Sequence, residues 1–153
     1  MRLDEVQTEL AAKLSGNATT AAFLPGLIFG FRGCKKTSGG SLSTDEDVST
    51  FLASRLADSG VVFEIGIVSG VKSDARAGRW QTMRATTSLV IAESIPVAHT
   101  PADDALLHAV LNAVTAPDSG SESPFTVESF DKEVSEKGYV LHMIEVSTPV
   151  EIR

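Results

Sequence analysis

Apolar and polar residues alternate along two stretches in the middle of the chain, and this period of two predicts a pair of β-strands. In the stretch 61–68 the residues of one face are all apolar: Val61, Phe63, Ile65 and Ile67. In the stretch 80–91 one face is apolar and the other is rich in hydroxyl groups; the apolar residues are Met83, Ala85, Leu89 and Ile91. We expect a long antiparallel hairpin in the middle of a sheet, whose strands are joined by an exposed charged loop, Val71–Arg79.

Three segments have the three- and four-residue spacing of amphipathic helices. The apolar stripe of the first consists of Leu3, Val6, Leu10 and Leu14. The second begins with a capping-box pattern at Ser43 and Glu46 and ends near Ser59. The third follows an N-cap at Thr100 with Pro101 in the first helical position. Because each helix has an apolar side that needs a surface, we expect all three to pack on one face of the sheet.

The remaining elements are short. We expect a strand at Leu27–Phe31, an exposed loop at Gly33–Ser41, and two strands near the end of the chain, Phe125–Phe130 and Tyr139–Val146. Residues 147–153 form a tail that could stay extended against a neighbouring subunit. These elements predict one α+β domain over residues 1–153, with a mainly antiparallel sheet of about four to five strands and a long central hairpin.

The balance of charge bears on possible partners. The chain of 153 residues has 13 Lys and Arg against 20 Asp and Glu, a formal net charge of −7. Proteins that bind a nucleic-acid backbone concentrate positive charge, so this balance argues against that class. A negative surface is typical of soluble proteins, and it would also line a passage through which a polyanion slides without binding.

Cysteine usage and hydropathy bear on location. The single cysteine, Cys34, has no internal disulfide partner, which favours a reducing compartment. The first residues lack the apolar core of a signal peptide, and no apolar run approaches the roughly 20 residues of a membrane span. We therefore expect a soluble protein, made in the cytoplasm and without a membrane partner.

No residue pattern in the chain predicts a reaction. The histidines His99, His108 and His142 lack the paired spacing of zinc ligands, so neither a metal nor another cofactor is expected. The glycines, lysines and threonine of the loop Gly33–Ser41 are not in the register of a phosphate-binding loop. No serine lies in a nucleophile elbow. We expect a protein that is not an enzyme.

The order of several parts resembles a known family. Arg79-Trp80-Gln81 opens a long strand, Thr100-Pro101-Ala102-Asp103-Asp104 opens a helix, and Gly138-Tyr139-Val140-Leu141-His142 forms a final strand. This order is similar to that of the tail-terminator and head–tail joining proteins of long-tailed bacteriophages. The resemblance implies a virion protein of the tail, assembled in the host cytoplasm as a hexameric ring. Such a ring ends polymerisation of the tail-tube protein, docks the head connector protein and lets DNA pass through its lumen without specific binding.

The resemblance carries over no catalytic residue, but it points to contact surfaces. We expect the hairpin and the tail to contact neighbouring subunits or the tail tube, through Lys72, Asp74, Arg76, Arg79, Trp80, Val150 and Ile152.

Two other classes of protein stay open. One is a small enzyme or ligand-binding domain with a pocket between the sheet and the third helix, near His99 or His108. The other is a cytosolic adaptor that forms a dimer through its sheet edge.

Overall fold

The fold is built on one eight-stranded sheet with helices on both faces. The computed structural model describes residues 1–32, 34–77, 80–94, 104–136 and 138–152. Within these ranges the helices are α1 (Val6–Ser15), α2 (Ala18–Ala21), α3 (Asp45–Asp58) and α4 (Ala105–Thr115), with short 3-10 turns at Leu3–Glu5 and Leu24–Gly26. The strands are β1 (Ile28–Phe31), β2 (Cys34–Thr37), β3 (Gly40–Leu42), β4 (Val61–Ile65), β5 (Ser69–Ala77), β6 (Trp80–Ser94), β7 (Thr126–Val134) and β8 (Tyr139–Ile152).

The sheet is mostly antiparallel, and the expected α+β class is confirmed. Its strand order is β3-β2-β1-β4-β6-β8-β7, with β5 beside β6, and among the described strands only β1 and β4 pair in parallel. The longest ladder joins β6 to β8, from Gln81 opposite Ile152 to Ser94 opposite Tyr139. The sheet has more strands than the four to five expected, because segments expected to be loops pair with their neighbours.

The central hairpin is confirmed in its pairing and corrected in its loop. Strand β4 pairs antiparallel with the second half of β6, from Val61 opposite Glu93 to Ile65 opposite Leu89. Of the segment Val71–Arg79, expected to be a loop, residues 71–77 instead form most of β5, which pairs with the first half of β6; residues 78 and 79 lie outside the described residues. Charged residues are compatible with this position, because an edge strand needs only its backbone groups to pair and commonly carries charge.

The larger core lies between the sheet and the pair α1 and α4. The first helix buries Val6, Leu10 and Leu14, and α4 buries Leu106, Leu107, Val110 and Val114. The face of β6 that contains Leu89 and Ile91 lies against these helices, as the period of two predicts. Ile67, expected on the same face, is 57% exposed because β4 ends at Ile65 and the chain leaves the sheet there.

The expectation that all helices pack on one face of the sheet is wrong, because a smaller core lies on the opposite face. Ile28, Val62 and Ala92 are buried there, and α3 packs against them. Strand β4 is therefore covered on both faces, since its residues on the second face include the apolar Val62. The cap of α3 is Thr44 with Asp47, one residue later than expected, and the two side chains and backbone amides bond reciprocally.

Two further segments differ from expectation. The glycine-bearing loop 33–41 instead contributes β2 and β3, an antiparallel hairpin beside β1. Residues 147–152 are the second half of β8 and pair with β6 of the same subunit. The extra length of β8 follows from that of β6, whose first half offers free backbone groups to any adjacent extended segment.

Candidate functional site

The residues expected to form contacts lie mainly at one end of the sheet. Lys72, Asp74 and Arg76 belong to β5, and Trp80 opens β6 opposite Ala77. The backbone of Gln81 pairs with Arg76 on one side and with Ile152 on the other. The backbone positions of the hairpin and of the tail are thus brought together, while Arg79 lies outside the described residues.

Val150 requires a correction. Its side chain is 0% exposed and belongs to the larger core, where it lies opposite Met83. A fully buried side chain stabilises its own subunit and offers no surface to a neighbour.

The strands at one end of the strand order carry basic side chains, although the edge strand β3 itself carries no charge. The segment 28–42, which forms β1, β2 and β3, contains Arg32, Lys35 and Lys36 and no acidic residue. Lys35 donates to both carboxylate oxygens of Glu64 at 2.8 and 3.0 Å. The Lys36 ammonium lies 4.7 Å from the ring centroid of the exposed Phe31, a cation–π contact. We call this surface the basic edge.

The other end of the strand order has an acidic surface. Strand β7 contains three acidic residues, Glu128, Asp131 and Glu133, against one basic residue, Lys132. It pairs with β8 on one side and with no described strand on the other. Phe130 is 59% exposed and Val134 64% exposed. We call this surface the acidic edge.

Two polar contacts anchor the acidic edge to the rest of the fold. At a bulge between Val127 and Ser129, Ser147 and Arg84 donate to the Glu128 carboxylate, and these hydrogen bonds, first that of Ser147, lower the pKa of the carboxyl. Further along, Lys132 donates to Asp104 at 2.8 Å and lowers the pKa of that carboxyl. The edge strand is therefore held by ionic contacts to β6 and to the start of α4.

The outer face of the sheet, opposite α1 and α4, is only partly covered. An apolar cleft of about 540 Å³ lies between α3 and the strands β4, β6 and β8. Its residues are Ser49, Leu52, Ala53 and Leu56 of α3, and Val62, Glu64, Val90, Ala92, Tyr139 and Leu141 of the sheet. We call it the α3 cleft. A volume of this size falls in the range of ligand-binding and side-chain-binding sites.

Beyond the α3 cleft the outer face is polar, as the hydroxyl-rich pattern of β6 predicts. A shallow depression of about 410 Å³ there is lined by Thr86 and Ser88 of β6 together with residues of β7 and β8. Arg84 and Ser88 are exposed, and no described helix covers them.

The two described histidines occupy different environments. His108 is exposed on α4, and His99 lies outside the described residues. His142 is 1% exposed, with its Nε2 atom 3.5 Å from Glu93 Oε2. No group of three or more potential metal ligands lies together within the described ranges.

Within the described part of the chain, no helix has both the length and the apolar character to span a membrane.

Sequence reasoning missed the basic edge and the α3 cleft. The signal for the first is the run 28–42, where basic residues occur without acidic ones. The signal for the second is the helical spacing of Ser49, Leu52, Ala53 and Leu56, combined with apolar residues on the second face of β4 and β6.

No protein-family model matches the chain, and no curated protein matches it. A crystal structure of a protein from Akkermansia muciniphila is similar, with 16% sequence identity and a TM-score of 0.32. The match covers 70% of this chain and 51% of that chain, so the chain spans about half the length of the solved structure it matches. A TM-score this low carries no argument about fold or function.

Proposed function

We propose that the protein is a structural subunit that joins copies of itself head to tail through the two edges of its sheet. The observation that carries this proposal is the opposite charge of the edges at the two ends of the strand order. The basic edge has three positive residues and no negative one, whereas β7 has three negative residues and one positive. Complementary charges steer one edge of a subunit towards the other edge of the next.

Apolar groups at both edges supply the attraction that surface charges alone lack. Phe31 is exposed at the basic edge, and Phe130 and Val134 are exposed at the acidic edge. Phe130 and Val134 lie on β7, whose outer side pairs with no described strand, and such a strand favours pairing with another one. Phe31 lies on β1, two strands in from the edge strand β3. Because the two edges differ, the contact is heterologous, and repeated heterologous contacts close into a ring when the rotation permits.

A ring of this kind is what the resemblance to tail-terminator and head–tail joining proteins implies. In this proposal six copies form the ring, which ends the tail tube of a long-tailed phage and docks the head connector. The hairpin β5–β6 and the end of β8, with Lys72, Asp74, Arg76 and Trp80, contact the tail tube or the adjacent subunit. The net charge of −7 supports a lumen that passes DNA without binding it.

The edge contact is tested by exchanging charges. Light scattering after size exclusion would measure the mass of the wild type, of Lys36→Glu, of Asp131→Lys and of the double variant. We expect a ring in the wild type, dissociation in each single variant, and recovery in the double variant, whose formal net charge returns to −7. Glu9→Lys is the matched control. It makes the same change in charge as Asp131→Lys, but on the exposed side of α1, and should leave the ring intact.

Three results would contradict the edge contact: a monomer up to about 1 mM, equal dissociation by Glu9→Lys and Asp131→Lys, or a double variant no better than the single ones. A compact two-fold dimer would favour the adaptor class instead. The proposed role in the phage tail is tested separately. A stop codon is introduced into the gene for this chain in a phage that encodes it, and the lysates are examined by electron microscopy. Overlong tails without heads are expected, and normal virions would refute the role.

A further inference from the structure

The α3 cleft is lined mainly by apolar side chains, and α3 only partly fills the space above it. None of the residues of α3 is fully buried, although the stripe of Leu52 and Leu56 points towards the sheet. On the sheet side, Val90 and Leu141 are half-buried, and Met143, which lines the neighbouring depression, is exposed. We infer that this cleft binds a basic amphipathic helix of another protein, laid beside α3 across β6 and β8.

The dimensions of the uncovered surface suit a helix. Strands β6, β8 and β7 are adjacent in the sheet, and neighbouring strands lie about 4.8 Å apart. A helix with its side chains is about 10 Å across, so one helix covers two strands. Seated there, it would place apolar side chains on Val90 and Leu141 and against the side of Leu52, in the manner of a helix in a groove.

Acidic residues lie beside the cleft on the outer face, and two of them, Asp131 and Glu145, line the neighbouring shallow depression. Glu133 lies directly opposite Leu141, and Asp131 lies opposite Met143, so these carboxylates share the outer face with the apolar floor. Glu145 is the next residue of β8 on that face. Glu46, one helical turn before Ser49, is at the start of α3.

These carboxylates are exposed, and none of them forms an ion pair with another residue of the described ranges. The carboxylate of Glu64, which also lines the cleft, is already paired with Lys35. An apolar floor with an acidic border is complementary to a helix that has one apolar face and lysine or arginine on its flanks.

The occupant comes from a different protein, because the helices described in this chain do not have that composition. The sole basic residue of α1 is Lys13, which is paired with Asp118, and the sole basic residue of α3 is Arg55. Helix α4 has no lysine or arginine. The inference does not require the ring, although Asp131 and Glu133 also belong to the acidic edge.

The test uses two fluorescent peptides of about 18 residues, roughly five helical turns. Both have leucine at helical spacing. All remaining positions are lysine in one peptide and glutamate in the other. Fluorescence anisotropy at an ionic strength of about 0.15 M would measure binding to the full-length protein. We expect saturable binding of the leucine–lysine peptide and none of the leucine–glutamate peptide.

A matched pair of variants places the site. Ala53 and Ala57 are both exposed on α3, but only Ala53 lines the cleft. Ala53→Lys should weaken binding of the leucine–lysine peptide by roughly tenfold or more, because it adds a positive charge and bulk inside the site. Ala57→Lys changes the net charge equally and should have an effect of less than about twofold. Circular dichroism confirms that both variants fold.

Several outcomes would overturn the inference. Equal weakening by both variants would mean that the peptide binds through net charge alone. Absence of peptide binding together with saturable, Ala53-dependent binding of a fluorescent fatty acid would assign the cleft to a small aliphatic ligand. Loss of self-association in Ala53→Lys, without peptide binding, would assign it to a second copy of this chain. If the charge-exchange variants failed to change self-association, the outcome of the peptide-binding experiment would still stand on its own.

Discussion

At the scale of single residues, two glycines that follow helices have different conformations. Gly60, between α3 and β4, has a φ of +75°, and its carbonyl accepts a hydrogen bond of 2.7 Å from the backbone of Ser94. Gly16, after α1, has a φ of −72° in the ordinary right-handed region. Only the first position needs glycine, because a Cβ atom is disfavoured at positive φ. The turn at Gly60 directs β4 into the sheet beneath α3.

Gly60→Ala should therefore reduce the free energy of unfolding by about 1–2 kcal/mol. Gly16→Ala should be neutral or stabilising by up to about 1 kcal/mol, because it restricts the unfolded chain and its Cβ would meet only ordinary contacts. Urea unfolding of both variants measures the difference. Similar losses in the two variants would show that the positive φ is not the cause.

A further residue, Gln7, links the helix layer to the strand ends. Its Nε2 donates to the carbonyls of Gly30 and Gly66, at 2.8 and 2.9 Å, where the parallel strands β1 and β4 end. Thr87 donates to the same Gly66 carbonyl at 2.9 Å. At Gly66, just past the end of β4, two side chains thus donate to one backbone carbonyl.

At the scale of elements, α4 and β7 are tied by the contact of Lys132 with Asp104. The hydrogen bond and charge of Lys132 lower the pKa of Asp104 from its ordinary 3.8. A carboxyl whose pKa is lower in the folded state stabilises the fold above its unfolded pKa. This contribution is lost as the pH falls through the folded pKa.

Asp104→Asn should thus reduce the free energy of unfolding at pH 7 by a few tenths to about 1 kcal/mol, the range of exposed ion pairs. The difference from the wild type should shrink as the pH falls below 3.8. A double-mutant cycle with Lys132→Gln isolates the pair from the effect of charge at the start of α4. Additive losses, or a difference independent of pH, would show that the two side chains are not coupled.

At the scale of the whole molecule, a buried and an exposed valine in the last two strands distinguish residues that stabilise the fold from residues available for assembly. Val150 in β8 is 0% exposed and packs in the larger core, whereas Val134 at the end of β7 is 64% exposed at the acidic edge. The first contributes to the stability of one subunit. The second is available to the next copy in the proposed ring.

Val150→Ala should lower the free energy of unfolding by roughly 1–3 kcal/mol, because it leaves a cavity in the core. Val134→Ala should change the free energy of unfolding by less than about 0.5 kcal/mol and should weaken self-association. The double variant Phe130→Ser and Val134→Ala should abolish the ring. Unfolding and light scattering of the same samples measure both effects. An unstable Val134→Ala variant, or an unchanged ring in the Phe130→Ser and Val134→Ala double variant, would contradict this division.

Local patterns predicted much of the fold because they record burial directly. The spacing of Val6, Leu10 and Leu14 identified the buried side of α1, and the alternation in β4 and β6 identified the face that meets the larger core. Such patterns could not place α3 on the second face. That choice depends on which strands lie beside β4, and the sequence pattern does not contain strand order.

The candidate surfaces depended even more on tertiary structure. The sequence by itself determined the α+β class, the antiparallel pairing of β4 with β6 and the negative net charge, because each follows from local spacing or from composition. Only the tertiary structure decided that β5 and the second half of β8 both pair with β6, that Val150 is buried, and that the basic and acidic edges lie at opposite ends of the strand order. The physical reason is that strand pairing joins residues far apart in the chain through backbone hydrogen bonds, which are the same for every side chain.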